Sequence, residues 1–311
     1  MSQAAHLGLD IGGTASRWVL CGADGAELAR GKAGGATGHV FNPAENQRLR
    51  TTLASIAAAI DPARFGIRSV TLGMTGYGAT VSGEVKAMLA ETFGVPEASM
   101  IVIDDVVLAY LANFAPGEGH VVAAGTGSVG IHIAENGAFT RVGGRGILID
   151  DAGSGSWIAL RALDRIFRVL DHSGSFGGVE VLADCLFDAV GGKDWSDVRQ
   201  FVYAGDRGRI GTLAVAVARA AEAGDGVALE ILRAAGAELA QLVSALSARI
   251  GLRPAGFIGG VLALHPVIEA EIRNRLGGCE VRLLNADASL AAARLQAVDA
   301  HGWRGLAATL G

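Results

Sequence analysis

One device occurs twice in this chain, and the duplication constrains its fold more than any other feature. Leu7 to Leu20 reads "LGLDIGGTASRWVL" and His120 to Ile133 reads "HVVAAGTGSVGIHI". In each, an apolar strand runs into a loop of Gly with Thr or Ser and a second alternating strand returns, the pattern of a β-hairpin. Glycines in such a loop permit positive φ and close approach of a ligand, and Thr14 adds a hydroxyl donor. Two halves that each present such a loop would set two nests of backbone N–H groups opposite each other across a cleft, and nests of this kind bind phosphate oxygens without a lysine.

The rest of the chain supplies an α/β frame for those hairpins. Strands are predicted at Leu7–Asp10, Ser16–Cys21, Ser69–Met74, Met100–Ile103, His120–Ala124, Val129–Glu135 and Gly256–Ile258. Helices are predicted at Asn46–Ala59, Gly83–Phe93, Val106–Phe114, Gly155–Leu170, Val179–Val190, Arg209–Ala223, Gly226–Ile250, His265–Leu276 and Ala288–Ala300. Their interleaving indicates α/β architecture, and 311 residues suit two domains of ordinary size. The 46 glycines fall at the ends of apolar runs, as short connections require.

Composition removes several function classes. A net charge of −5 leaves no electrostatic footprint for nucleic acid or an anionic membrane surface. No apolar run approaches the roughly 20 residues of a membrane span, and "MSQAAHLGLD" lacks a basic stretch followed by an apolar one, so a cytoplasmic protein is expected. Cys21, Cys185 and Cys279 are scattered, which argues for buried inert thiols over a disulfide frame or a zinc site.

Two familiar phosphate motifs fail on context. "GTGSVG" at Gly125–Gly130 matches the dinucleotide fingerprint, with Asp150 at a fitting distance, but that fingerprint must open a helix. Here "VGIHIAENG" alternates like a strand and ends in an Asn-Gly turn. Neither Gly31-Lys32 nor Gly192-Lys193 has the flanking residues of a Walker A loop.

An ordered set of motifs carries a family resemblance. "LGLDIGGT", "GTGSVG" and "IGGV" (Ile258–Val261) resemble the first phosphate loop, second phosphate loop and adenosine loop of the actin-like ATPase and sugar kinase superfamily. "MTGYG" from Met74, "IDDVVLAY" from Ile103, "GGRGILIDDAGSGSWIALRAL" from Gly143 and "ARAAEAGDGVALEIL" from Ala218 are similar to its N-acetylglucosamine kinase branch, grouped with BadF/BcrA-type ATPases. The resemblance runs from Leu7 to about Ala300. It implies two actin-like (ribonuclease H-like) α/β domains with an interdomain nucleotide cleft. Residues 1–115, rejoined by a C-terminal helix within 288–311, form one and 116–287 the other.

The resemblance also assigns roles. Asp10 holds Mg²⁺, largely through water, as that hard cation prefers. Gly12, Gly13 and Thr14, then Gly125, Thr126, Gly127 and Ser128, contact the ATP phosphates, and Gly259, Gly260 and Val261 the adenosine. Asp105 aligns as the general base, with Asp104 as the neighbour that could exchange places with it. Asn42, Gly143, Gly144 and Asp151, together with Asp105, build the sugar pocket. Taken singly, Asp104, Asp105 and Asp151 also read as helix caps and Asn42 as an Asn-Pro turn. Where the family has Gly-Asp-Glu-Gly this chain has Asp150-Asp151-Ala152-Gly153, which alters the pocket. The implied activity is ATP-dependent phosphorylation of the 6-hydroxyl of N-acetylglucosamine by a homodimer. Glucosamine, another hexose, or a regulatory ATPase role are the alternatives.

Overall fold

The computed structural model describes residues 2–205 and 207–310; Met1, Asp206 and Gly311 lie outside the described residues. The chain divides into two compact units, Met1–Gly119 with Ile133–Phe139 and Asn285–Gly311, and His120–His132 with Thr140–Leu284.

The first unit opens with β1 (Gln3–Ile11), β2 (Ala15–Cys21) and β3 (Glu27–Gly34), then α1 (Pro43–Ala58), β4 (Phe65–Met74), α2 (Ser82–Phe93), β5 (Met100–Asp104) and α3 (Asp105–Asn113). Its sheet has the order β3-β2-β1-β4-β5. β1 and β2 are antiparallel, as a hairpin must be, whereas β4 pairs parallel with both β1 and β5. The parallel strands are apolar because both faces are covered. Leu7, Leu9, Ile11, Val70, Leu72, Met74 and Val102 pack with Leu49, Leu53 and Ile56 of α1 and Val85, Met88 and Leu89 of α2. β3, "ELARGKAG", is an edge strand whose charged residues gave no apolar alternation to read.

The second unit repeats that plan. It contains β6 (His120–Ala124), β7 (Ser128–Ile133), β8 (Phe139–Gly143), α4 (Gly155–Ser173), α5 (Glu180–Val190), α6 (Trp195–Tyr203), α7 (Arg207–Thr212), α8 (Ala214–Glu222), α9 (Gly226–Ile250), β9 (Ala255–Ile258), α10 (Pro266–Arg275) and β10 (Val281–Leu283). Its sheet runs β8-β7-β6-β9-β10, with β6 antiparallel to β7 and parallel to β9, as β1 is to β2 and β4. The two hairpins are therefore equivalent parts of two equally ordered sheets. The helix expected over Arg209–Ala223 is two, broken at Leu213. α6 begins at a capping box between Asp194 and Asp197, and the strand expected to reach Glu135 ends at Ile133 before the Gly137 turn.

The chain then returns to the first unit as α11 (Ala288–Ala297) and α12 (Trp303–Thr309), so the helix expected to reach Ala300 stops three residues earlier, where Asp299 takes φ 40°. α11 lies directly on β1. A Cβ on Gly8 would stand 2.1 Å from Ser289 O and 2.2 Å from Ala293 N, so only glycine lets the helix reach the strand. Gln296 fastens the same helix by donating to Val70 O and Ser99 O. Among the described residues no helix is long and apolar enough to cross a membrane.

Gly8→Ala should be destabilising by at least the ~1–3 kcal/mol of overpacking, since the obstructing atoms are backbone. Urea unfolding checks this: a midpoint matching wild type would show that α11 does not seat on β1 as described.

Candidate functional site

In the first unit the carboxyl ends of three parallel strands lie level. Residue pairing sets Asp10 beside Gly73, Ile11 beside Met74, and Met74 beside Asp104. The groups that follow each strand end, the Gly12–Thr14 loop, Thr75 and Asp105, therefore gather at one edge of the sheet, the edge where open α/β sheets bind ligands.

The adjacent acids of "VIDDVV" separate cleanly. Asp104 has extended backbone and caps α3, its Oδ1 accepting from Val106 N–H at 3.1 Å. Asp105 begins the helix and carries no cap duty; its Oδ2 accepts from the Thr75 hydroxyl. Asp10, whose side chain is 23% exposed, faces Arg17 across the hairpin at 3.5 Å. Burial raises its pKa above the ordinary carboxylate value, the nearby charge of Asp105 raises it further, and Arg17 partly opposes both. A carboxylate whose charge is felt by a second one is the kind of oxygen donor that a hard divalent cation keeping most of its water takes. Among the described residues no group of three or more His, Cys, Asp or Glu gathers as a full metal cage.

The Gly-Gly pair is not there for its backbone angles. Neither Gly12 nor Gly13 has positive φ, which corrects the expectation from turn chemistry. A Cβ at Gly13 would find its nearest neighbour, Thr37 Cγ2, at 3.8 Å, so the fold itself leaves room for a side chain. Thr14 is exposed at the loop tip, and Arg48 steadies the loop by donating to Gly13 O at 2.8 Å.

Asn42 caps α1, its Oδ1 accepting from Ala44 N–H at 2.9 Å, which leaves its amide –NH₂ as the group to offer a ligand. The loop leading to it is pinned where Gly38 N–H donates to Thr75 O at 2.9 Å.

The second unit presents its Gly-Thr loop on the N-terminus of α4. Gly125 O accepts from Gly155 N–H at 2.9 Å and Thr126 O from the Ser156 hydroxyl. A Cβ at Gly125 would meet nothing within 4 Å, again leaving room for a ligand. Ser128 is different: it is buried, its hydroxyl donates to Ala152 O at 2.7 Å, and its N–H faces Asp151 Oδ1 at 3.5 Å. It holds the loop from inside. Asp151 is buried against Gly127, where a Cβ would lie 3.0 Å from both of its carboxylate oxygens. It also lines a cavity of about 330 Å³ with Ile147, Trp157, Leu160, Arg161 and Asp164.

Gly143 and Gly144 both take φ +66°, and a Cβ at either would strike a neighbour at 2.8 Å, so turn geometry accounts for them. Gly259, at φ 122°, passes 2.2 Å from Ala124 O by the same measure, while Gly260 is open and Val261 is buried. Thr75 and Arg17 had no role in the sequence reading. "MTGYG" held the signal for Thr75, a hydroxyl just past an apolar strand, and hairpin register held the one for Arg17.

The profile of the BadF/BadG/BcrA/BcrD ATPase family matches residues 7–284. An N-acetyl-D-glucosamine kinase of Dictyostelium discoideum is 27% identical over 185 residues, 56% of this chain and 57% of that protein. An N-acetylmuramic acid/N-acetylglucosamine kinase of Clostridium acetobutylicum is 30% identical over 149 residues, 47% and 48% of the two. The chain thus spans about half the length of the curated relatives it matches. A candidate N-acetylglucosamine kinase of known structure from Chromobacterium violaceum is 25% identical with a TM-score of 0.74, covering 95% of this chain and 99% of that one.

The raised pKa of Asp10 has a consequence for stability. Between the ordinary and the raised value the folded state binds more protons, so stability falls as pH rises through that window and the cost persists above it. Asp10→Asn should therefore melt at or above the wild-type temperature at pH 7, the difference closing towards pH 4. A marked loss of stability at pH 7 would mean that Arg17, not burial, governs the carboxylate.

Proposed function

This chain belongs to the BadF/BadG/BcrA/BcrD ATPase family, and we propose that within it the protein is an ATP-dependent kinase phosphorylating the 6-hydroxyl of N-acetylglucosamine. One observation carries the reading: the Asp104 side chain is spent as a helix cap, while the Asp105 side chain, on the first residue of the helix, caps nothing, accepts from Thr75 and is close enough to Asp10 for its charge to be felt there. An acid free of capping duty, with a second carboxylate nearby for a metal, suits in-line phosphoryl transfer to a hydroxyl. The family match and the two amino-sugar kinases among its relatives support the acceptor class.

The proposed roles are those the family resemblance implies. Asp10, with Asp105 near it, is assigned to Mg²⁺, which when bound neutralises phosphate charge. The N–H groups of Gly12 and Gly13 and the Thr14 hydroxyl take phosphate oxygens in the first unit. Gly125, Thr126 and Gly127 do so in the second, with Ser128 keeping their loop in shape. Gly259, Gly260 and Val261 face the adenosine. Asn42, Gly143, Gly144 and Asp151 are assigned to the sugar. Asp105 accepts the proton of the attacking hydroxyl. A cytoplasmic homodimer completes the proposal.

ADP release from MgATP, measured across N-acetylglucosamine, glucosamine and glucose, tests the reading. N-acetylglucosamine should raise the rate well above the sugar-free one and yield a 6-phosphate by NMR; an unchanged rate with every sugar would favour a regulatory ATPase. Asp105→Asn should lower turnover by about 10²–10⁴-fold. Asp104→Asn, which preserves a competent cap, should keep turnover within a few-fold, whereas Asp104→Ala should cost ~0.5–2 kcal/mol of stability. A dead Asp104→Asn beside an active Asp105→Asn would exchange the two roles.

A further inference from the structure

We infer that Thr75 is a positioning residue for Asp105: its hydroxyl fixes which carboxylate oxygen takes the acceptor's proton. Its backbone ties that carboxylate to the strand of Asp10 and to the loop leading to Asn42. The inference rests on the kinase reading above.

All three polar groups of Thr75 are engaged, each with a different part of the site. Its N–H donates to Ile11 O at 3.0 Å, one residue beyond Asp10. Its carbonyl accepts from Gly38 N–H at 2.9 Å, on the loop that precedes Asn42. Its hydroxyl donates to Asp105 Oδ2. Thr75 directly follows β4, the strand between β1 and β5, so its neighbours on either side are the ends that carry Asp10 and Asp105. A single residue therefore sets the spacing of metal ligand, base and sugar loop.

The hydroxyl bond has a direction. An ionised carboxylate only accepts hydrogen bonds, so Thr75 is the donor. Oδ2 is thereby occupied, and Oδ1 carries no hydrogen bond among the described residues. In the transfer, the acceptor oxygen bonds to the γ-phosphorus as the bridging bond to the β-phosphate breaks, and that electron pair departs with ADP. The proton released by the acceptor hydroxyl passes to Asp105 Oδ1. The terminal torsion of an aspartate is broad, and without Thr75 the carboxylate would sample orientations in which neither oxygen lies on the line of transfer. Misplacement of a reacting group by about 1 Å costs on the order of 100-fold.

Thr75→Val keeps the shape and removes the donor. With MgATP and N-acetylglucosamine as the probes, kcat should fall about 10- to 100-fold, while both KM values stay within about threefold and Thr75→Ser restores kcat. A purely structural hydroxyl would not give that split, because loosening the loop to Asn42 raises KM for the sugar. Combining the changes decides whether Thr75 acts through Asp105: on the Asp105→Asn background, Thr75→Val should cost nothing further. Wild-type kcat in Thr75→Val, an equal loss on the Asp105→Asn background, or no rescue by Ser would each overturn the inference. Should Thr75→Val fail to fold by thermal melting, Thr75→Ala takes its place in the same cycle. The outcomes remain separable, because an ADP-release rate unchanged by every sugar removes the kinase reading itself, an active Asp105→Asn beside a dead Asp104→Asn overturns the inference by moving the base to Asp104, and a dead Asp105→Asn with an active Thr75→Val removes only the role of Thr75.

Discussion

The parallel pairing of β1, β4 and β5 is the constraint on which the rest of the first unit depends. Because side chains and strand ends follow from register, a pairing that sets Ile11 beside Met74 and Met74 beside Asp104 also brings Asp10, Thr75 and Asp105 to one edge. A slip of one residue would turn every core side chain of a strand to the wrong face. The buried apolar set from Leu7 to Val102 that packs under α1 and α2 thus holds those three residues in place. On the opposite side Gly8 and Gly73 do the complementary work of admitting helices: Ser289 and Ala293 of α11 close on the first and Leu108 of α3 on the second.

That arrangement carries an electrostatic cost at a named place. Placing Asp10 near Asp105 and partly out of water disfavours its charged form, and Arg17, exposed on a hairpin edge, compensates only in part. A structural ion pair would not be built this way, since surface bridges contribute little and like charges oppose folding. The glycines tell a similar story. Those with a conformational or packing reason, Gly143, Gly144 and Gly259, are explained by the fold. Gly13, Gly125 and Gly260 are not: a Cβ at Gly13 would have ordinary space and one at Gly125 or Gly260 would meet nothing. Openness at the loops proposed to meet nucleotide fits a ligand that needs bare backbone.

Much of this was legible before any coordinates, for physical reasons that also mark where reading stops. The two hairpins and the parallel strands announce themselves because strands covered on both faces must be apolar, and α9 because its cap, Asp225, precedes a long amphipathic run. β3 was not legible, since an edge strand such as "ELARGKAG" faces water and carries no alternation, and β10, at three residues, is too short for any period. α6 could have been found from its Asp194–Asp197 capping box. Within the site, sequence placed two acids side by side but could not say which one capped the helix, because that depends on a backbone angle at Asp104. Of the two reasons given for Gly12 and Gly13, positive φ and close approach of a ligand, the first does not hold, as neither adopts positive φ. Thr75 could be read as a hydroxyl just past an apolar strand, but its pairing with Asp105 could not, because the two lie thirty residues apart in sequence.

A crystal structure with N-acetylglucosamine and the magnesium complex of a non-hydrolysable ATP analogue tests the central claim most directly. The account predicts the sugar 6-hydroxyl about 2.6–3.2 Å from Asp105 Oδ1, with Oδ2 still on Thr75 and the sugar amide or hydroxyls against Asn42. A sugar bound away from the carboxyl ends of β1, β4 and β5, or one whose 6-hydroxyl meets Asp104 instead, would contradict it.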